Sequence, residues 1–137
     1  MANYKISDIE GIGPAFAEKL RLAGVRSVDA LLKMAAAKQG RSNLASKTGI
    51  DESTILKWVN MADLYRVKGV GSEYSELLEK AGVDTVKELR NRNPENLLEK
   101  MNEINSSGRA TVRQLPGIKS VKAWVNNAKK LDPKVTY

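Results

Sequence analysis

Apolar residues recur along this chain at the three-to-four-residue spacing of amphipathic helices, and glycine, proline and polar residues separate the apolar segments. Phe16, Leu20 and Ala23 share one face of a predicted helix that Pro14 opens. A later helix carries a longer buried stripe made of Ile55, Trp58, Val59 and Ala62. The alternation of polar and apolar residues that marks a strand is absent. The pattern therefore predicts an all-α fold with about five short helices in each half.

The first helix boundaries follow from turn and cap residues. Ser7 with Glu10 forms a possible capping box for a short first helix. Gly11-Ile12-Gly13 then interrupts the helical pattern, and Gly24 is suited to a left-handed helix end. These signals predict a short helix, a tight glycine turn and a longer helix in succession.

Further caps divide the rest of the first half. Ser27 is predicted to cap a third helix, with Gly40 beyond its end. A fourth helix is expected from about residue 41 to residue 48 and to stop at Gly49. Asp51 is expected to cap a fifth.

The chain contains an internal repeat. Residues 9–25 match residues 67–83 at an offset of 58, with both glycines of the turn in common. Residues 58–60 and 124–126 share the sequence Trp-Val-Asn, at an offset of 66, which predicts an insertion near 105–108. The sequence thus indicates a tandem duplication, with one repeat at 1–64 and the other at 65–137.

Composition narrows the possible functions. Hydrophobic residues make up 42% of the 137-residue chain, which is enough for a buried core. Cysteine and histidine are both absent, so disulfides are excluded and a structural zinc site is not expected. No apolar run approaches the ~20 residues of a membrane-spanning helix, and the first residues lack the layout of a signal peptide. We therefore expect a cytoplasmic protein with no cofactor, no metal ion and no membrane partner.

The net charge of +7 is concentrated in the last quarter of the chain. Residues 1–64 carry a balance of +2, residues 65–105 a balance of −1, and residues 106–137 a balance of +6. An excess of this kind favours an anionic partner such as nucleic acid. The alternative is a solvated basic surface that keeps the protein soluble.

The Gly-x-Gly turn between two helices has a chemical interpretation. Glycine permits backbone angles closed to other residues and lets another molecule approach the backbone closely. Amide hydrogens at the start of the next helix can then bind phosphate without reading any base sequence. A lone Gly-x-Gly is weak evidence for a phosphate site. Here a predicted short helix precedes it, Pro14 follows it and an apolar stripe lies downstream, and this combination is much more specific.

Residues 9–20, with the sequence Ile-Glu-Gly-Ile-Gly-Pro-Ala-Phe-Ala-Glu-Lys-Leu, resemble the helix-hairpin-helix motif of DNA polymerase beta and of the recombinase N-terminal domain. The resemblance to the recombinase N-terminal domain extends to residues 48–57. Over nearly its whole length, the chain is similar to an uncharacterised family of tandem helix-hairpin-helix proteins. The resemblance implies the fold, and it implies function only by analogy.

The resemblance also implies which residues of the first hairpin contact phosphate. They are the backbone of Gly11, Ile12, Gly13 and Ala15, with charge added by Lys19 and Arg21. Such hairpins can also hold a monovalent cation through carbonyl oxygens, which here belong to Ser7, Ile9 and Ile12. The alternative is that these glycines only permit close packing of helices.

The other hairpins differ in charge. Residues 69–71 are followed by Glu73, Glu76 and Glu79, which would repel phosphate, so this copy is expected to be structural or to face a protein. Residues 116–120 lack the second glycine of the Gly-x-Gly motif, but several lysine and arginine residues surround them in the sequence. We therefore expect a second phosphate site there, made of Gly117, Lys119, Ser120 and Lys122 with Arg109 and Arg113.

Two functions remain open, and a third is not favoured. The first is sequence-nonspecific binding of DNA, duplex rather than single strand, because the aromatic residues fall on apolar stripes and not among the basic residues. The second is a protein-interaction scaffold that keeps the fold without binding nucleic acid. An enzyme is not expected, since a Schiff-base mechanism would have to use Lys19, Lys119 or Lys122, and no feature of the sequence activates them.

Overall fold

Helices form the regular structure of the chain in a computed structural model, which describes residues 5–9, 11–106 and 114–137. The fold is all-α, as predicted, and the described residues contain no strand beyond an isolated bridge between Lys5 and Ser27. A 3-10 helix at Ile6–Asp8 precedes eight α-helices in this part of the chain. They are α1 (Pro14–Leu22), α2 (Val28–Ala35), α3 (Lys38–Thr48), α4 (Glu52–Leu64), α5 (Ser72–Lys80), α6 (Val86–Leu89), α7 (Pro94–Ser106) and α8 (Ile118–Ala128).

The chain folds into two compact units. The first unit comprises Met1–Asp63 and Lys134–Tyr137, and the second comprises Leu64–Pro133. The last four residues therefore belong to the unit in which the chain begins.

The core of the first unit follows the predicted stripes, except that Phe16 is exposed and Ala23 is only half-buried. Trp58 is only 2% exposed, and Leu20 is fully buried. Phe16, by contrast, is 37% exposed, and Ala17 takes the buried position on α1 instead. The Phe16 ring packs edge-on against Trp58, with 5.2 Å between ring centroids. The prediction that Phe16 belongs to the core stripe of α1 is therefore wrong: its ring contacts Trp58 but stays exposed.

Two of the predicted helix ends are confirmed by their geometry. The Ser27 hydroxyl accepts a hydrogen bond from the Ala30 N–H at 3.1 Å, which caps α2. Gly49 ends α3 in the left-handed conformation with φ of 75°, and its N–H donates to the Ala45 carbonyl. These ends depend on residues within one turn of the helix, so sequence alone locates them.

The predicted cap at Ser7 is wrong. Ser7 lies inside the 3-10 helix, which Lys5 precedes. The Asp8 carboxylate accepts a hydrogen bond from the Lys5 N–H at 3.0 Å and so closes this turn. Glu10, the other member of the predicted box, lies outside the described residues.

Gly40 lies beyond the end of α2, as predicted, but the prediction that the next helix begins only at about residue 41 is wrong. Helix α3 begins at Lys38, so Gly40 is inside its first turn. A Cβ at position 40 would lie 1.9 Å from the Met34 carbonyl oxygen. The glycine therefore permits α3 to approach the end of α2 closely. A residue with a Cβ at this position would clash with the backbone of α2.

Arg41, on the next position of α3, is buried although it is charged. Its side chain donates to the carbonyls of Ala35 (3.1 Å) and Ala36 (2.8 Å), at the C-terminal end of α2. It also donates to the carbonyl of Thr136 at 2.6 Å. A cation at a helix C-terminus is favourable because the exposed carbonyls carry partial negative charge.

The core of the second unit contains Leu64, Val67, Val70, the apolar faces of α5 to α8, and Trp124. Trp124 is 4% exposed and contacts Tyr74, with 5.1 Å between ring centroids. The Tyr74 hydroxyl donates to the Gln114 carbonyl at 3.1 Å. Both tryptophans are thus core residues, as their apolar stripes predict.

Candidate nucleic-acid interface

The first hairpin is held by two buried isoleucines. Ile9 and Ile12 are 1% and 5% exposed, and the Ile12 N–H donates to the Ile9 carbonyl at 3.1 Å. Gly11, between them, has φ of +93°, a conformation that L side chains rarely adopt. The buried residues therefore fix the turn, while Gly11 and Gly13 remain exposed.

The start of α1 presents backbone amides without a side-chain cap. Gly13 is the N-cap, no described side chain bonds to the free end of the helix, and Pro14 has no N–H. The N–H groups of Ala15 and Phe16 precede the first full helical bond, which runs from the Ala17 N–H to the Gly13 carbonyl at 2.9 Å. The first turn contains no acidic residue. These are the conditions that favour an anion at a helix N-terminus.

The two basic residues that the resemblance assigns to this phosphate site lie at the other end of α1. Lys19 and Arg21 occupy its last turn. The Lys19 ammonium lies 6.0 Å from the centroid of the Phe16 ring, and Arg21 forms an ion pair with Glu18. Both are exposed, but Glu18 offsets the charge of Arg21, and neither residue flanks Gly13 directly.

The second hairpin has nearly the same backbone geometry. Gly69 has φ of +91°, and the Val70 N–H donates to the Val67 carbonyl at 3.1 Å. A Cβ at Gly69 would lie 3.1 Å from Trp124 Nε1, just as a Cβ at Gly11 would lie 3.6 Å from Trp58 Nε1. In each unit, then, a tryptophan packs against the turn glycine, which is the arrangement that a duplication would produce.

The charge at the start of α5 differs from that at the start of α1. Glu73 is exposed in the first turn of α5, where it competes with any external anion for the free amides. Glu76 pairs with Lys80 at 3.3 Å, so that lysine does not offset Glu73. Two turns of similar backbone geometry therefore differ in charge at the following helix start: α1 has no charged residue in its first turn, and α5 has a carboxylate there.

The start of α8 is the third candidate. Gly117 is its N-cap, with no side-chain cap and no acidic residue in the first turn. Lys119 and Ser120 are exposed there. Ser120 does not cap the helix, because it is the third helical residue and its N–H donates to the Gly117 carbonyl at 3.1 Å. Lys122 forms an ion pair with Glu95 at 3.6 Å, and both side chains are more than half exposed, so this pair contributes little to stability.

Two of the predicted phosphate contacts lie outside the described residues, and the predicted cation site stays a prediction. Arg109 and Arg113 lie outside the described residues. Coordination of a monovalent cation by the carbonyls of Ser7, Ile9 and Ile12 stays a prediction. The Ile9 carbonyl already accepts a hydrogen bond from the Ile12 N–H. Within the described residues, no three acidic side chains are placed to share a metal ion.

Sequence reasoning missed a cavity of about 340 Å³ in the first unit, at the C-terminal ends of α1 and α3. Leu22, which is 80% exposed, lies at this cavity. The other lining residues are Lys19, Ala23, Lys47 and Thr48. Leu22 comes two residues after Leu20 and therefore falls on the opposite face of α1, away from the predicted apolar stripe, so helical periodicity is the signal that could have marked it as exposed.

The two glycines of the first hairpin should respond differently to alanine. Gly11→Ala places a methyl group on a residue with φ of +93°, so we expect a loss of about 1–2 kcal/mol in the free energy of unfolding. Gly13 has φ of −82° and open space around a Cβ, so Gly13→Ala should cost less than about 1 kcal/mol. Urea unfolding measures both values. Equal losses would mean that the turn is not held in this conformation.

The described residues thus define an all-α protein of two helical units, each with a glycine turn that packs against a tryptophan. None of the described helices has both the length and the apolar composition needed to cross a membrane. The family model of a domain of unknown function (DUF4332) matches residues 10–131, which is most of the chain. The chain belongs to this family. No curated protein and no solved structure has significant similarity to it.

Proposed function

We propose that this protein binds DNA without sequence specificity, through backbone amides at the starts of α1 and α8. The observation that carries the proposal is shared by both helices: each begins at an exposed glycine, with no side-chain cap from the described residues and no acid in its first turn. Phosphate binds well at such a helix start, and contacts of this kind do not read bases.

The charges support the proposal. The net charge is +7, and Lys119 and Lys122 lie in the first half of α8. The start of α5, where Glu73 lies, serves as an internal contrast because its hairpin has the same shape but an unfavourable charge. The proposed activity includes no chemical step, and Lys19, Lys119 and Lys122 are all exposed rather than desolvated as a Schiff-base lysine would be. The proposed location is the cytoplasm.

Salt dependence tests the binding. In a titration of a fluorescent DNA duplex at about 50 and about 200 mM salt, four phosphate contacts should give a log–log slope near −3.6, at roughly −0.9 for each. Lys119→Gln with Lys122→Gln should reduce that slope by about 1.8 if both contact phosphate. The matched control is Lys87→Gln with Lys100→Gln, which removes the same charge from exposed positions of the same unit and should leave the slope nearly unchanged.

The glycine pair tests the hairpin itself. Gly13→Ala should weaken binding at least about fivefold, because the methyl group stands where phosphate would approach the amides. Gly71→Ala is the control: Gly71 is also an N-cap glycine with open space around a Cβ, but it begins the acidic helix α5. We expect that variant to bind within about twofold of the unmodified protein.

The second candidate is a protein-interaction scaffold. Glu73 at the second hairpin and the exposed Leu22 favour it, because both suit a protein surface better than a phosphate. If the duplex does not bind at about 50 mM salt, the DNA proposal is wrong and the scaffold becomes the better account.

A further inference from the structure

The cavity at the C-terminal ends of α1 and α3 combines apolar surface with two positive charges. Leu22 and Ala23 supply the apolar surface, and the Leu22 side chain is 80% exposed. Lys19 and Lys47 supply the charges, and none of the described residues that line the cavity is acidic. A ligand that complements this cavity therefore carries an apolar group beside an anionic group.

The two lysines are available for an external anion. The Lys19 ammonium lies 6.0 Å from the centroid of the Phe16 ring, and Lys47 is exposed in the last turn of α3. Neither forms an ion pair with another described residue. An anion can thus pair with both ammonium groups without displacing a carboxylate of the chain.

The helix ends add hydrogen-bond acceptors to these charges. The last carbonyls of an α-helix have no partner within the helix, and they carry partial negative charge. Ala23 is the C-cap of α1, and Thr48 is the last residue of α3. A ligand with an N–H group can donate to such carbonyls. A DNA phosphate has no donor for them, and their partial charge repels it.

The size of the cavity limits its occupant. Its volume of about 340 Å³ is at the lower end of the range for ligand pockets, about 300–1,000 Å³. A helix, with a diameter of about 10–12 Å including side chains, does not fit. The last residue of a polypeptide has a carboxylate, a side chain and an N–H on one Cα atom. It therefore offers all three complementary groups in a small volume.

We propose that this cavity binds the C-terminal residue of a partner polypeptide that ends in an apolar amino acid such as leucine. The carboxylate pairs with Lys19 and Lys47, the side chain packs on Leu22 and Ala23, and the N–H donates to a carbonyl at a helix end. The starts of α1 and α8 contribute no residue to the cavity. The proposal therefore goes beyond DNA binding and does not depend on it.

A ¹⁵N-resolved NMR titration of the full chain is the first test, with the N-acetylated peptide Gly-Ser-Gly-Ser-Leu as the probe. The amides of Leu22, Ala23 and Thr48 should shift and saturate with a Kd below about 1 mM. The same peptide with a C-terminal amide lacks the charge and should bind at least about tenfold more weakly. No saturation up to about 5 mM, or equal binding of the two peptides, would overturn the proposal.

Charge variants test whether the two lysines are the contacts. Lys19→Gln with Lys47→Gln should weaken binding of the peptide at least about fivefold. The matched control is Lys33→Gln with Lys38→Gln, which removes the same charge from exposed positions of the first unit that do not line the cavity. That variant should bind within about twofold of the unmodified protein. Equal losses in the two variants would show a response to overall charge, and the proposal would be wrong.

A DNA duplex distinguishes this cavity from the proposed DNA surface. The duplex should shift the amides of Gly13 and Ala15 and leave that of Thr48 unchanged, because two helix C-termini repel phosphate. If the duplex shifts the Thr48 amide as strongly as the peptide does, the cavity belongs to a nucleic-acid surface and the peptide proposal is wrong. The peptide titration contains no DNA, so its result is the same whether or not the DNA proposal holds.

Discussion

Gly40→Ala is expected to destabilise the first unit by about 2–3 kcal/mol, although alanine is the better helix former. By propensity alone, alanine in a helix is favoured over glycine by about 1 kcal/mol. At position 40, however, the new Cβ would lie 1.9 Å from the Met34 carbonyl oxygen and 3.0 Å from the Met34 carbonyl carbon. Because both atoms are backbone, relief requires α2 and α3 to separate, and overpacking of this kind outweighs propensity.

The two tryptophans make this measurement specific. With 5-fluorotryptophan incorporated, Trp58 reports on the first unit and Trp124 on the second during urea unfolding. We expect the Trp58 transition to move to a much lower urea concentration. Gly71→Ala, whose Cβ meets open space, is the matched control and should shift the Trp124 transition by no more than about 1 kcal/mol. A stabilised Gly40→Ala protein would show that α2 and α3 are not this close.

Arg41→Met is expected to cost about 3 kcal/mol, although methionine preserves much of the apolar stem. The substitution removes the donors to three carbonyl oxygens, and Arg41 is only 4% exposed. Hydrogen bonds to charged groups contribute about 1.5–3 kcal/mol each, and unpaired buried carbonyls add a desolvation cost. The relief of an arginine's own desolvation offsets part of that loss, so the sum of three bonds is not expected.

The same fluorotryptophan experiment measures this cost. The Trp58 transition should shift while the Trp124 transition stays within about 0.5 kcal/mol of its original value, because Arg41 and its three acceptors all belong to the first unit. Arg21→Met, which removes an exposed arginine, is the control and should change stability by less than about 0.5 kcal/mol. Equal effects of the two substitutions would contradict the buried network.

Features that depend on neighbouring residues could be predicted from the sequence. The all-α fold, the Ser27 cap and the left-handed Gly49 each follow from periodicity or from a hydrogen bond within a few residues. The burial of Trp58 and Trp124 followed from their positions on apolar stripes. These locally determined caps and helix ends form in the structure because tertiary packing does not oppose them.

Features that depend on distant residues could not be predicted. Gly40 looks like a helix end because glycine usually marks one, but its role depends on where Met34 lies after folding. Arg41 would be placed on the surface by composition, since arginine is rarely buried without partners. Its partner Thr136 is 95 residues away, and no spacing rule connects the two.

The candidate interface was predictable in part. The glycine turn and its acidic counterpart at Glu73 are local features, and the structure places them at comparable helix starts. The positions of Lys19 and Arg21 in the last turn of α1 follow from helix geometry once the bounds are known. The pairing of Arg21 with Glu18 could be predicted, because the two residues are three apart on one helix. The pairing of Lys122 with Glu95 required the structure, because the two residues lie on different helices.

The most direct test of the DNA proposal is to map the amides that respond to a duplex. In a ¹⁵N-resolved NMR titration at about 50 mM salt, the amides of Gly13, Ala15 and Phe16 should shift with rising DNA concentration, as should those of Ile118 and Lys119 at the start of α8. The corresponding amides at the start of α5, above all that of Glu73, should shift much less. Equal shifts at α1 and α5, or none at either α1 or α8, would contradict phosphate binding at these helix starts.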